Sequence, residues 1–395
     1  MESSRPYDLA LFGATGFTGG LTADYLAANA PTGMKWALVG RNRSKLEAVA
    51  ARLAAASPQG PVPEIVEADA GDREAMRGVA ESTRVVVTTV GPYILYGGPL
   101  VAACAAAGTD YCDLTGEPEF VDRTWIEHHA EAESSGARLV HCCGFDSIPH
   151  DLGAYFTVKQ LPEGVPLKVD GYVRSNAEFS GGTFHSAINA FGRARQTLAA
   201  AKERKRAERR PAGRSIHSAP ARVRRMPDLG GWAVPLPTID GPIVLRSAAA
   251  LERYGPDFTY GHNLLAKHLA TVGALGAGVG TGFALAQLPP TRKLLLKMKS
   301  PGEGPSEAKR AQSWFKVVFV GEGGAKRVVT EVKGGDPGYS ETSKMLAESG
   351  LCLAFDQLPE RSGQLTTAAA MGDALLERLQ SAGIGFDVVE SSPAG

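Results

Sequence analysis

Three glycines carry the first chemical signal in this chain. Gly13, Gly16 and Gly19 follow the apolar, β-leaning run YDLALF at residues 7–12, and the helix-like run GLTADYLAANA begins at Gly20. The spacing is G-x-x-G-x-x-G. In a strand-to-helix turn the first glycine permits the tight bend, the second lets a pyrophosphate approach the backbone, and the third allows close helix packing. Residues Gly13, Ala14, Thr15, Gly16, Phe17, Thr18 and Gly19 would then cradle a dinucleotide, with its pyrophosphate at the positive end of the helix dipole. A second apolar run, KWALV at residues 35–39, ends on Gly40-Arg41-Asn42-Arg43, with Lys45 close behind. A carboxylate here would suit the free ribose 2′-hydroxyl of NAD, whereas arginine accommodates a 2′-phosphate. Arg41, Arg43 and Lys45 therefore predict NADPH. The alternative is an ordinary α/β turn rich in small residues.

The other candidates stand where later strands end. Asp69 closes the short run at residues 64–67 and would lie beside the adenine, or cap the next helix. The run RVVVTTV at residues 84–90 leads into Gly91-Pro92-Tyr93, and in parallel sheets the ligand lies beyond the carboxyl ends of the strands. Gly91 and Pro92 would underlie the nicotinamide. With hydride supplied by the cofactor, the protein must orient the substrate, polarise a carbonyl and supply a proton. Tyr93 is the first candidate for the acid or oxyanion partner, with packing against the cofactor as the bland reading. Asp113, Asp146 and His150 lie on the same side. Asp146-Ser147-Ile148-Pro149 reads equally as a helix cap with an early proline, and His150 could be oriented by Asp151 or be purely structural. If the strand before it extends to Cys143, His141 and Cys143 share a face; small apolar packing is the better reading for Cys142 and Cys143. Neither G-x-S-x-G nor H-E-x-x-H occurs, so hydrolase and metalloenzyme readings lack support and no metal site is expected.

The elements that would position these residues alternate strand and helix as far as Cys143, as in a doubly wound parallel sheet. A helix is predicted over residues 44–56, others over 71–80, 97–107 and 118–134, and strands over 109–113 and 137–142. The segments GATGFTG (13–19), ALVGRNRSKL (37–46), GPYILYGGPLVAACAAAGTDYCDLTGE (91–117) and CGFDSIPHDLG (143–153) resemble the saccharopine dehydrogenase-like oxidoreductases. Within that group the chain is most similar to the actinobacterial trans-acting enoyl reductase branch, and the similarity returns at GYSETSKML and GQLTTAAA within residues 338–370. The resemblance implies a Rossmann-type α/β fold with a second α+β domain inserted before a C-terminal helix: residues 1–155, 156–355 and 356–395. It also implies NADPH-dependent reduction of an acyl double bond in polyketide or glycolipid biosynthesis, on a substrate carried by a polyketide synthase. A saccharopine-type dehydrogenase acting on an imine and a non-catalytic NADP-binding scaffold are the alternatives; a homodimer is the expected assembly.

At 395 residues two domains are the default, and the formal net charge is zero, so no global field favours nucleic acid. The five cysteines form no C-x-x-C pair, which fits a reducing cytosol. The segment before the first strand carries no secretory signal. A strand is predicted at 167–174 and one long helix at 180–210. Between Arg193 and Arg225 stand twelve Lys or Arg and two Glu, a solvated face or a dock for an acidic carrier, a phosphate or an anionic membrane. Residues 269–288 run for twenty positions without a charge, long enough for a bilayer core, and include five glycines. Peripheral contact with a membrane or acyl chain, a buried core helix and a true span are the three readings; the first places the protein in the cytoplasm at the inner face of the plasma membrane. A Gly-Pro loop is expected at 301–305, a hairpin at 314–332, helices at 339–355 and 368–382, an edge strand at 386–389 and a frayed end from Glu390.

Overall fold

The computed structural model describes residues 5–177, 181–297 and 305–393. The first half runs β1 (Tyr7–Phe12), α1 (Phe17–Asn29), β2 (Trp36–Gly40), α2 (Arg43–Ala56), β3 (Glu64–Glu67), α3 (Arg73–Ser82), β4 (Thr83–Thr88), α4 (Tyr93–Tyr96), α5 (Gly98–Ala107), β5 (Asp110–Asp113), α6 (Pro118–Ser135), β6 (Arg138–Val140) and α7 (Ile148–Lys159). The second continues with β7 (Leu167–Ser175), α8 (Gly181–Gly192), α9 (Ala194–Ala207), β8 (Ser215–Ser218), β9 (Arg224–Met226), β10 (Gly231–Pro235), α10 (Asp240–Ala250), β11 (Asp257–Ala266), α11 (Leu269–Ala286), α12 (Pro289–Lys297) and α13 (Glu307–Ala311). It closes with β12 (Phe315–Gly323), β13 (Lys326–Gly334), α14 (Ser340–Phe355), β14 (Gly363–Leu365), α15 (Thr367–Ala370), α16 (Gly372–Ser381) and β15 (Gly385–Pro393).

Seven parallel strands form the first sheet in the order β14-β6-β5-β4-β1-β2-β3. Its central strands are buried on both faces, which is why they read as unbroken apolar runs. The order reverses beside β1, so a crevice opens at the carboxyl ends of β1 and β4, next to the glycine turn. The edge strand β14 comes from the far end of the chain and pairs with β6, Gly363 opposite Arg138. Helix α14 packs on α1 and β4, and a side chain at Gly350 would come within 2.6 Å of Val87. Thus α14, within the span 156–355 expected for the second domain, lies on the first sheet.

The second sheet has the order β15-β13-β12-β7-β11-β10-β9, with β8 beside β11. The predicted hairpin is β12–β13, with Gly323 opposite Lys326. Helix α7 connects the two sheets: it follows β6 and packs on β12 and β13, so closely that a Cβ at Gly153 would lie 2.3 Å from the Phe319 ring.

Several expectations are corrected. The long helix at 180–210 is two helices, α8 and α9, which break at Arg193; Ser180 lies outside the described residues, as does most of the expected loop at 301–305. The helix at 368–382 is split at Gly372, whose φ of +46° an L side chain rarely adopts. The chain beyond Glu390 is not frayed: β15 runs to Pro393 on β13, and Arg327 pairs with Glu390 at 2.9 Å.

Candidate functional site

The glycine turn is built as its spacing requires. Gly13 sits at φ +98°, and a Cβ there would lie 2.7 Å from Thr89 Oγ1 and 2.9 Å from Val90 Cγ2. Gly19 is tighter still, since its Cβ would lie 2.1 Å from the Gly13 carbonyl oxygen. Gly16 caps α1, whose first turn holds no acidic residue, and a Cβ there would come no nearer than 3.4 Å to Gly13 O. The leading N–H groups of α1 have no intrahelical acceptor, so the turn presents positive ends to an anion. Phe17 is edge-on to Tyr339 at 4.8 Å, Arg310 lies over its ring, and Ser343 Oγ donates to Thr18 O at 3.1 Å. Residues from 310–343, far along the chain, therefore brace the turn.

Arg41 is exposed at the carboxyl end of β2 and makes no ion pair among the described residues. Arg43 pairs with Glu47 at 3.2 Å, Asn42 caps α2 through Lys45 N, and the Lys45 side chain is exposed. Arg41 is thus the residue best placed for a 2′-phosphate. Asp69 is exposed and accepts from Gly71 N, while the cap of α3 is Asp72. Gly91 and Pro92, joined by a cis peptide bond, form the turn beyond β4.

Three of the polar residues singled out for the reaction, Tyr93, Asp113 and His150, are buried and differ in how much hydrogen-bonding capacity they have left. Tyr93 is buried; its hydroxyl donates to Thr88 O at 3.1 Å and accepts from Leu114 N at 3.2 Å. Burial, and then the Asp113 charge, push that hydroxyl well above its ordinary range. Asp113 accepts from the Tyr111 hydroxyl at 2.9 Å, Thr115 N at 3.0 Å and Cys142 N at 3.2 Å, and faces His141 Nδ1 at 2.7 Å. Both residues tie the loops of the rim together. His150 is buried, and burial lowers its imidazole to about 4.

Local geometry also settles two alternatives. Strand β6 stops at Val140, and Cys142 turns the chain with φ +64°, so His141 swings to Asp113 and Thr124 while Cys143 Sγ points to Val140 O. His141 and Cys143 share no strand face, and Cys142 and Cys143 are wholly buried. Asp146 is not a helix cap, because Ser147 holds the cap position of α7. Its carboxyl accepts no hydrogen bond among the described residues and lies over the β5–α6 loop, where a Cβ on Gly116 would be 3.1 Å from Oδ2. Burial and the neighbouring Asp240 charge raise it to about 7. Asp151 does not orient His150: it accepts from Ser247 and Thr367 hydroxyls and from Ala368 N, and burial raises it to about 6.

Sequence reasoning missed Glu117, Asp240 and His262. Glu117 accepts from Tyr93 N at 3.0 Å and Ile94 N at 2.9 Å and so holds the turn beyond β4; its place after DLTG was the available signal. Asp240 lies 3.8 Å from His150 Nε2 and 3.4 Å from His262 Nε2, a juxtaposition that no linear spacing reveals.

The carboxyl ends of β1, β2, β4, β5 and β6 therefore gather a glycine cradle, a cation, a braced turn and an unspent carboxyl. Residues 9–140 match the saccharopine dehydrogenase NADP binding domain. The chain is 39% identical, over 96% of its length and 97% of the relative's, to a Mycobacterium tuberculosis protein provisionally named a trans-acting enoyl reductase. It is 34% identical, over 97% of its length and 98% of the relative's, to the trans-acting enoyl reductase of Mycobacterium ulcerans. In fold it is similar to apo saccharopine dehydrogenase (L-Glu forming) from Saccharomyces cerevisiae, with a TM-score of 0.56, 12% identity and coverage of 98% and 99% of the two chains. With an NADP-binding domain and full-length relatives of this kind, the chain belongs to the trans-acting enoyl reductase family of the saccharopine dehydrogenase-like, NADPH-dependent oxidoreductases.

Proposed function

We propose that this enzyme reduces the double bond of an α,β-unsaturated acyl thioester presented by a polyketide synthase during lipid assembly, and that Asp146 delivers the proton. NADPH, when bound, supplies the hydride that the β-carbon receives. The chain's own residues divide the remaining work. The turn from Gly13 to Gly19 binds the pyrophosphate, and Arg41 selects the 2′-phosphate. Tyr93, Asp113 and Glu117 hold the loops beyond β4 and β5 in place beneath the substrate. Asp146 protonates the α-carbon. The observation that carries this reading is the contrast along one rim: the side-chain acceptors of Asp113 and Glu117 are spent on neighbours, whereas the Asp146 carboxyl has no partner among the described residues.

The test is to titrate the chain with NADPH and NADH, following tryptophan fluorescence, with and without a long-chain enoyl thioester. Cofactor oxidation only in the presence of the thioester supports the reading; binding without turnover shifts the weight to an imine substrate or a non-catalytic role. In the same titration Arg41→Ala is expected to weaken NADPH by about 10- to 100-fold, the worth of a hydrogen bond to a charged group of roughly 1.5–3 kcal/mol. NADH binding should stay unchanged, and equal losses for both cofactors would remove the 2′-phosphate role.

A surface element supports a location for the reaction. Helix α11 is 18 residues long and apolar, and only 6% of it is buried; Val279, Phe283 and Leu285 are exposed on it, and Arg292, Lys293 and Lys297 follow on α12. It is therefore not the buried core helix that was one reading of its sequence. We propose that it rests on the anionic inner face of the plasma membrane, apolar side inward and cations at the headgroups. In flotation with phosphatidylglycerol vesicles, the pair Val279→Asp and Leu285→Asp should reduce binding by about 10-fold or more, since burying each such side chain contributes roughly 1.5–3 kcal/mol. Unchanged flotation would rule the contact out.

A further inference from the structure

The geometry points to a binding site for one divalent cation of the zinc class, formed by His150, Asp240 and His262. The three come from α7, the first turn of α10 and β11, and their donor atoms all lie within 4.8 Å of one another. Their side chains are 2%, 3% and 5% exposed, so water cannot serve these polar atoms freely. Buried polar groups in folded proteins nearly always have partners. Here Asp240 Oδ1 and His262 Nε2, two of the atoms of the cluster, have none.

A hydrogen-bonded His-Asp-His relay does not account for the arrangement. His150 Nε2 is 3.8 Å from Asp240 Oδ1, beyond hydrogen-bond distance, and His262 Nε2 at 3.4 Å from Oδ2 lacks hydrogen-bond alignment. Separations of this size suit a metal better. With bonds of about 2.0–2.2 Å, tetrahedral ligands stand roughly 3.4 Å apart, so three donors that all lie within 4.8 Å of one another need to close by about 1.4 Å at most. Two imidazoles and one carboxylate are a donor set for zinc and its neighbours rather than for magnesium or calcium.

Outer groups hold two of the ligands in the required orientation. The Thr238 hydroxyl donates to Asp240 Oδ2 at 2.5 Å, which leaves Oδ1 for the cation. The Tyr260 hydroxyl lies 3.4 Å from His262 Nδ1, which leaves Nε2 inward. Such outer partners fix ring orientation and tautomer in metal sites. A cavity of about 360 Å³, lined by Thr238, Tyr260, His262 and Asn263 among others, supplies an entry path. Three protein ligands leave a fourth position open.

The test uses the full chain, stripped with a chelator and titrated with Zn²⁺ against a chromophoric competitor. The expected result is one equivalent bound per chain, an affinity loss of about 100-fold or more in His262→Gln and Asp240→Asn, and about 10- to 100-fold in Thr238→Val. Circular dichroism checks that each variant folds. Should the ligand variants fail to fold, Co²⁺ added to the stripped wild-type chain decides: intense visible d–d bands of a four- or five-coordinate nitrogen–oxygen site support the proposal. Absence of those bands, absence of zinc uptake by the folded stripped chain, or equal affinity in folded variants would each overturn it.

Discussion

Asp146→Asn is expected to lower turnover of an enoyl thioester by about 10²- to 10⁴-fold, the usual contribution of a positioned proton donor, while NADPH affinity changes little. The substitution keeps the size of the side chain and removes its transferable proton. The fold loses nothing measurable, because no neighbour among the described residues donates to or accepts from that carboxyl, and it caps no helix. Asp113→Asn is the contrast. There the carboxylate accepts from two backbone N–H groups and a tyrosine hydroxyl and faces His141, so the loss should appear in stability, at about 1–3 kcal/mol for the groups left unmatched. Single-turnover absorbance of NADPH beside thermal melts separates the two. If Asp146→Asn turns over like the wild type, the proton comes from elsewhere.

Gly19→Ala should destabilise the first sheet by about 3 kcal/mol or more, above the common range for an added core methyl, and abolish cofactor binding with it. The reason is what the new methyl would meet. Gly13 O at 2.1 Å and Gly13 C at 2.7 Å are backbone atoms of the turn itself, pinned where Gly13 N donates to Val39 O, so no flexible side chain can move aside. Gly16→Ala makes the control. Its nearest neighbour would be at 3.4 Å, ordinary contact, so the fold should persist with an unchanged melting temperature. The methyl would instead stand where a pyrophosphate approaches the helix end, and NADPH affinity should fall without loss of stability. A Gly16→Ala variant that melts like Gly19→Ala would mean that the second glycine serves packing rather than the ligand.

The local features of the cofactor half were legible from residue order because each depends on neighbours a few positions away. The turn at Gly13, the strand ending at Gly40 and the turn at Gly91 appear where alternating strand and helix require them. Long-range features were not. Helix α14 and strand β14 lie more than 200 residues beyond the sheet they complete, and nothing in SETSKMLAESGLCLAF states which sheet its apolar face will cover. The basic run was read as one helix because Arg193 suits a helix interior as well as a break; its pairing with Glu119 at 2.7 Å belongs to tertiary structure. The edge strand at 386–389 is legible, but its continuation from Glu390 reads as frayed because ESSP has no strand signature, and the order of that stretch comes from pairing with β13.

The sequence by itself determined the parallel sheet, the tight glycine turn between β1 and α1 and the place of Arg41 just beyond β2, since glycine spacing and strand periodicity are properties of short segments. Only the tertiary structure decided which polar groups are spent and which are available. Tyr93 and Asp113 read as reactive from their positions but are consumed by hydrogen bonds, Asp146 reads equally as a ligand-side group and as a helix cap and is not the cap, and His150 acquires Asp240 and His262 from elements 90 and more residues away. Hydrogen-bonding capacity is limited, and its allocation is settled only when distant segments meet.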